Sequence, residues 1–180
     1  MNLSPRRRVV IPVLLVTTLV VAFALYFFQP WRAFTNTTVN ESLPTATAGG
    51  GEDAGGGSAP AAVKELARGS LVAHEHPTSG TARTLRLADG RQLLRLEDLK
   101  TSEGPDVRVY LSTRPASKAA DGLGAGAVRL GRLKGNLGNQ NYTVPDGTDP
   151  AGFRSAVVWC ERFGVSFGAA DLTPSPAAPR

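Results

Sequence analysis

Sulfur is nearly absent from this chain. There is one cysteine, Cys160, and one methionine, Met1, in 180 residues. One cysteine cannot close an intrachain disulfide or build a multi-cysteine zinc site. With Met1 as the sole methionine, a His/Met haem site of the cytochrome type is excluded. Histidine is scarce as well, with two residues, His74 and His76. Beyond Arg6–Arg8, basic residues form no run. The net charge of +5 is scattered, and part of it belongs to Arg6, Arg7, Arg8 and Arg32 beside an apolar segment. Nucleic acid is therefore not an expected partner. No GxGxxG, P-loop, GxSxG or HExxH motif occurs. The chain carries no hydrolase or transferase signature, and whether it is an enzyme stays open on sequence grounds.

What is present divides into unlike pieces. Residues 9–28 carry no charge: VVIPVLLVTTLVVAFALYFF. At 1.5 Å per residue, a helix of this length is about 30 Å long, the thickness of a hydrocarbon core. Pro12 sits near its start, where a missing N–H costs least. Tyr26 and Trp31 fall at the far end, where amphipathic rings prefer the interface. Arg6–Arg8 at the near end predict a cytoplasmic basic tail over 1–8, a single-pass membrane anchor over 9–28, and an extracellular remainder. The competing reading is a cleaved signal peptide, with an apolar region of about 7–15 residues and a small-x-small site. Gln29–Phe34 (QPWRAF) offers no such site, so the uncleaved anchor is favoured.

Residues 29–62 lack hydrophobic periodicity and read as a flexible Gly/Ala/Thr-rich linker. Such a tether would let the distal domain move above the membrane. Asn36, Asn40 and Asn141 open glycosylation sequons. The Ala/Gly/Arg/Pro bias suits a GC-rich bacterium, which makes these chance matches. Residues 174–180 read as a disordered Pro/Ala tail.

Residues 63–173 form the distal domain. Ala62–Gly69 (AVKELARG) is expected to make a helical turn or two, closed by Gly69. Strand signals follow at short spacing: Ser70–Glu75, Thr84–Leu87, Gln92–Leu96, Val107–Ser112, Ala127–Leu133, Tyr142–Val144, Ser155–Glu161 and Gly164–Phe167. Asp89-Gly90 marks a hairpin turn. In Val107–Ser112, Val107, Val109 and Leu111 share one face and Arg108, Tyr110 and Ser112 the other. Ser155–Glu161 is apolar on both faces and should be a central, doubly covered strand. About eight short strands with Gly, Pro and Asp between them predict an all-β fold, an antiparallel β-sandwich or partly open barrel.

Four groups of residues carry candidate chemistry. Cys160 reads either as a small buried hydrophobe or as a redox thiol, a ligand or an intermolecular disulfide partner. Arg154 and Arg162 are near it in sequence. His74 and His76 project to one side of an extended segment, but two ligands without a third do not make a metal site. Glu103 and Asp106 flank Gly-Pro, first of all a turn. The loop at 134–141, with Lys134, Gly135, Asn136, Gly138 and Gln140, is expected to be exposed and to serve as a binding loop. Tyr142 is expected to be packed. Trp159, Phe163 and Phe167 are expected in the core.

Several runs together resemble the DM13 domain: His76–Gly80, GPDVRVYLS at 104–112, LGRLKGNLGNQNYTVP at 130–145 and SAVVWCERFGVSFGAADL at 155–172. The resemblance spans roughly residues 66–172. It implies a β-sandwich module proposed to act in electron transfer, with Cys160 in the place of the family's cysteine. That cysteine is suggested to work as a naked thiol or by holding a prosthetic group such as haem. His76 is then the candidate second group at the site, and a redox protein the candidate partner. No DOMON domain accompanies it here, so such a partner would come from another chain. The alternative is a non-catalytic binding module at the cell surface with a structural, buried cysteine.

Overall fold

The Asp89-Gly90 turn sets the first register. Gly90 takes φ +86, the left-handed region open to glycine. Asp89 accepts from the Arg91 N–H, and the Leu87 N–H reaches the Arg91 carbonyl. The strands on either side, Ser79–Arg86 (β4) and Gln92–Lys100 (β5), pair antiparallel. This is a computed structural model, and it describes residues 5–31, 35–44 and 63–175.

In chain order the remaining elements are a helix Pro5–Phe28 (α1) and strands Thr38–Asn40 (β1), Lys64–Ser70 (β2), Val72–Ala73 (β3) and Val107–Ser112 (β6). A short helix Ala116–Ala119 (α2) precedes Val128–Arg132 (β7), Leu137–Thr143 (β8), Ser155–Cys160 (β9), Val165–Asp171 (β10) and Thr173–Pro174 (β11). Two sheets result, β1-β8-β5-β4-β2-β11 and β3-β10-β9-β6-β7. Neither closes into a barrel, and all pairings but β1 with β8 are antiparallel. The fold is the expected sandwich, with more strands than expected.

Alternation builds the interior. Leu94, Leu96 and Ala82 from one sheet meet Val109, Leu111 and Val158 from the other in one buried cluster. Val107, Val109 and Leu111 face inward as their spacing requires. Tyr110, on the opposite face of β6, joins Val157, Trp159 and the two buried alanines of α2 in a second cluster outside the sheet. Every residue of β9 is buried. Ala156, Val158 and Cys160 face the interior while Val157 and Trp159 lie under α2, so β9 is covered on both sides.

Three local expectations change. Lys64–Ser70 is a strand, not a helical turn: β4 and β11 flank it and supply its backbone partners, and pairing overrides the local preference. Val165–Asp171 and Leu137–Thr143 run further than their apolar residues suggested. Phe163 is not in the core. It sits on the turn after β9 and is 45% exposed.

The segment read as a linker is partly ordered. Thr38–Asn40 lies parallel to β8, opposite Leu137–Asn139. The Leu137 N–H donates to the Thr37 carbonyl, and the Glu41 N–H to that of Asn139. The rest of the linker, 32–34 and 45–62, lies outside the described residues, as do residues 1–4 of the basic tail and 176–180 of the C-terminal tail. Over Val10–Phe28, α1 has mean hydropathy 2.5 and none of its residues is buried, and it is long and apolar enough to cross a membrane. A signal sequence passes the same test.

Candidate functional site

Cys160 ends β9. Its Cα partners are Val107 on β6 and Val165 on β10. Its side chain is 0% exposed and belongs to the interior cluster with Val107, Val158 and Phe167. The Gly164 N–H donates to the Cys160 carbonyl at 2.9 Å and closes the turn Glu161–Gly164. The thiol is thus one residue from an exposed turn yet closed in by packed side chains.

The groups considered as its neighbours go elsewhere. The ring of His76 packs on Phe167, centroids 3.9 Å apart, so an aromatic ring of the cysteine's own cluster is what His76 touches. Nδ1 of His74 is 2.8 Å from Ser166 Oγ. The two histidines therefore have separate partners. Arg154 precedes β9 and its backbone binds Ser112 and Leu172, which puts it at the opposite end of the strand from Cys160. Arg162 turns to α1, where it donates to the Phe27 carbonyl. Among the described residues, no three His, Cys, Asp or Glu side chains are grouped to hold a metal.

At the Cys160 end of the sandwich lies a cavity of about 300 Å³. Three segments line it: Trp31, Thr35 and Thr37; Glu103–Val107; and Arg132–Asn136. The lining contains no cysteine or histidine. A haem held by Cys160 does not fit this arrangement: the thiol is fully buried in the apolar cluster, and the cavity lining includes neither it nor a histidine. The cavity's charges are also committed. Asp106 binds Arg108 at 2.9 Å and lies 3.6 Å from Arg132. The Arg108 hydrogen bond holds the Asp106 carboxyl below its ordinary range. Glu103 accepts from the hydroxyls of Thr35 and Thr37. These two carboxylates are turn and seam groups, not an acid–base pair.

The residues of the expected binding loop are drawn into the fold. Asn136 and Gln140 are buried, at 1% and 0% exposure. Gln140 Oε1 accepts from the Lys134 and Gly135 N–H groups and from the Tyr142 hydroxyl, and its amide donates to the Gly135 carbonyl. Tyr142 is packed, and burial raises its hydroxyl pKa well above the ordinary value. Asn136 accepts from the Thr37 N–H at 2.7 Å and donates to Asn36 and to the Thr101 carbonyl. Lys134 pairs with Glu41 at 2.6 Å. Gly135 and Gly138 lie where β1 passes closest: a Cβ on either would stand 2.4 and 2.3 Å from the Thr37 and Val39 carbonyl oxygens. Lys134 stays exposed, with its ammonium on Glu41.

Sequence reasoning passed over Thr37 and Glu41, read Asn36 only as a chance sequon and placed Phe163 in the core. The sequon asparagines are part of this seam: Asn40 accepts from Asn139, and Asn141 donates to the Ser42 carbonyl. The residual signal was the Thr-Val pair at 38–39, too short to mark a strand by alternation.

The fold and site define a two-sheet β-sandwich with one buried thiol at a strand end, preceded by an apolar helix. A family model described as electron transfer DM13 matches residues 70–172. That is more than half of the chain, and the protein belongs to the DM13 family. No curated protein and no solved structure matches it.

Proposed function

We propose that the chain is a membrane-anchored module of an electron-transfer system, with its sandwich outside the cytoplasm and Cys160 as its redox group. The family match over 70–172 carries this reading. Two features support it. Arg6, Arg7 and Arg8 precede the apolar run, the arrangement that keeps an N-terminus cytoplasmic. Cys160 is also the chain's only thiol, so thiol chemistry in the domain has one place to occur.

A lone thiol transfers electrons by exchange with a partner's disulfide. The Cys160 thiolate attacks one partner sulfur, the S–S bond breaks, and the partner's other sulfur leaves as a thiolate. An external thiolate then attacks the Cys160 sulfur, the partner's remaining sulfur leaves as a thiolate so that the partner is reduced, and a second external thiol frees Cys160 as the two external thiols become a disulfide. The attacking sulfur needs an approach, so the side chains packed over Cys160 have to part, a local opening short of global unfolding. The test is the rate of native-state labelling by a thiol reagent. Labelling that outpaces global unfolding, and that is abolished by Cys160→Ser, supports the redox reading. Labelling that appears only as the protein unfolds refutes it.

The burial of Cys160 favours a second reading, a non-catalytic interaction module in which the cysteine is a structural hydrophobe. Under that reading Cys160→Ser destabilises the fold but leaves every partner interaction in place.

A further inference from the structure

Phe27 and Phe28, the last residues of α1, meet the sandwich. Arg162 Nη1 donates to the Phe27 carbonyl, and the guanidinium lies 4.8 Å from the centroid of the Phe27 ring. The ring of Phe163 stacks on that of Phe28, centroids 6.2 Å apart and 15° from parallel. A helix leaves its last carbonyls without intrahelical donors and presents a partial negative charge there. The last turn of α1 contains no basic residue, so a guanidinium 135 positions away supplies the missing donor and charge. Such a carbonyl is most costly to leave unpaired where water is scarce, as at the end of a bilayer-spanning helix.

Phe163 itself is 45% exposed, the one exposed aromatic of the sandwich among the described residues. Its neighbourhood is continuous with the cavity: the Glu161 N–H donates to the Asp106 carbonyl at 2.9 Å, and Trp31 and Arg132 line that cavity. The Arg132 side chain is 69% exposed. One end of the sandwich therefore presents Phe163, Trp31, Arg162 and Arg132 around the exit of α1. Aromatic rings beside arginines are the composition that settles at the boundary of headgroups and acyl chains.

We propose that the β9–β10 turn is a membrane-docking element. Phe163 enters the headgroup–acyl boundary beside Phe28, and Arg162 and Arg132 lie at the level of the lipid phosphates. The sandwich is then seated on the bilayer with its Cys160 end down. The inference rests on the reading of α1 as a membrane anchor, and continuity with that helix is what selects a bilayer as the occupant.

The test is fluorescence quenching in the full chain, reconstituted into nanodiscs of phosphatidylcholine and phosphatidylglycerol with or without bromine on the upper acyl chain. The parent is Trp31→Phe, which leaves buried Trp159 as a common background. New tryptophans go in one at a time as Tyr26→Trp on α1, Phe163→Trp on the turn and Asp146→Trp at the opposite end of the sandwich. Bromine is expected to quench at positions 26 and 163 to a similar degree, with none at 146. Quenching at 26 with none at 163 overturns the docking while the anchor stands. No quenching at 26 overturns the anchor, and the docking with it. Quenching at all three means that the sandwich has no preferred end toward the bilayer, which also overturns the proposal. Circular dichroism unchanged from the parent establishes that each variant is folded.

Discussion

The seam between β1 and β8 and the interior around Cys160 are built from opposite materials. The interior is Val, Leu, Ala, Phe and one Cys, with Tyr142 the one side chain of the cluster that hydrogen-bonds through a hydroxyl. At the seam, Asn36, Thr37, Asn40 and Glu41 meet Lys134, Asn136, Asn139 and Asn141 through hydrogen bonds that span from 93 to 100 positions. Apolar burial is non-directional and tolerates a change of neighbour. A buried amide whose partner leaves is costly. The sandwich therefore holds by its interior, and the segment 35–44 holds by complementarity to one polar edge. The seam also covers the free side of β8, an edge otherwise open to another chain.

The comparison breaks hardest at Phe167. Its ring is 2% exposed, packs in the Cys160 cluster and carries His76 on one face. Phe167→Ala is expected to cost about 3–5 kcal/mol. The loss should appear as a lower midpoint of denaturant unfolding, with β1 and the sandwich melting together. A smaller change would mean that the interior collapses around the gap.

Cys160→Ser comes next. A hydroxyl placed among Val107, Val158 and Phe167 finds no partner in their side chains, and the expected cost is about 1–3 kcal/mol. Cys160→Ala separates polarity from volume. If the serine variant is as stable as the alanine variant, the hydroxyl has found a partner or water, and the pocket is wetter than its packing implies.

The same contrast decides what could be read in the sequence. β6 and β9 were legible because alternation, or its absence, is carried by adjacent residues. Val107, Val109 and Leu111 declare one face, and SAVVWC declares two. Cys160 was legible as a candidate because it stands alone, and its burial because its strand is apolar throughout. The seam was not legible. Asn, Thr and Ser without periodicity are the composition of a disordered linker, and what orders them is an edge some hundred residues away. Gln140 and Asn136 looked like binding-loop residues for the same reason: nothing local says that their amides are spent on Gly135, Thr37 and Thr101. Phe163 was assigned to the core because an aromatic near a buried strand normally is, and its partner is the distant Phe28.

Gly135→Ala attacks the seam without touching the interior. The new Cβ would stand 2.4 Å from the Thr37 carbonyl oxygen, a backbone atom that moves only if β1 moves. The expected result is faster hydrogen exchange and proteolysis confined to residues 35–44, with the unfolding midpoint of the sandwich shifted by about 1 kcal/mol or less. Coupled loss of both would show that β1 is integral to the core.

The gentlest probe is pH, through Glu41. Burial by itself would raise its carboxyl, but hydrogen bonds from Lys134 and from the Asn141 N–H, with the charges of Lys134 and Arg95, outweigh that and leave it below its ordinary value. A carboxyl whose pKa is lower when β1 is docked favours docking in its ionised form. That contribution is fully present above the undocked pKa and is lost as pH falls through the docked one. Acidification therefore removes the attraction of Glu41 for Lys134 without adding a repulsion. The seam should therefore loosen as pH drops from about 6 to about 3, within the carboxylate range. The proteolysis rate of residues 35–44, measured with an acid-tolerant protease, is expected to rise over that window. Glu41→Gln should proteolyse faster than the parent at neutral pH and vary less with pH. The pair is partly exposed, so added salt should weaken the parent's dependence as well. A parent and a Glu41→Gln variant with identical profiles would mean that the Asn136 hydrogen bonds alone hold β1, and that the Lys134–Glu41 pair is incidental to the seam.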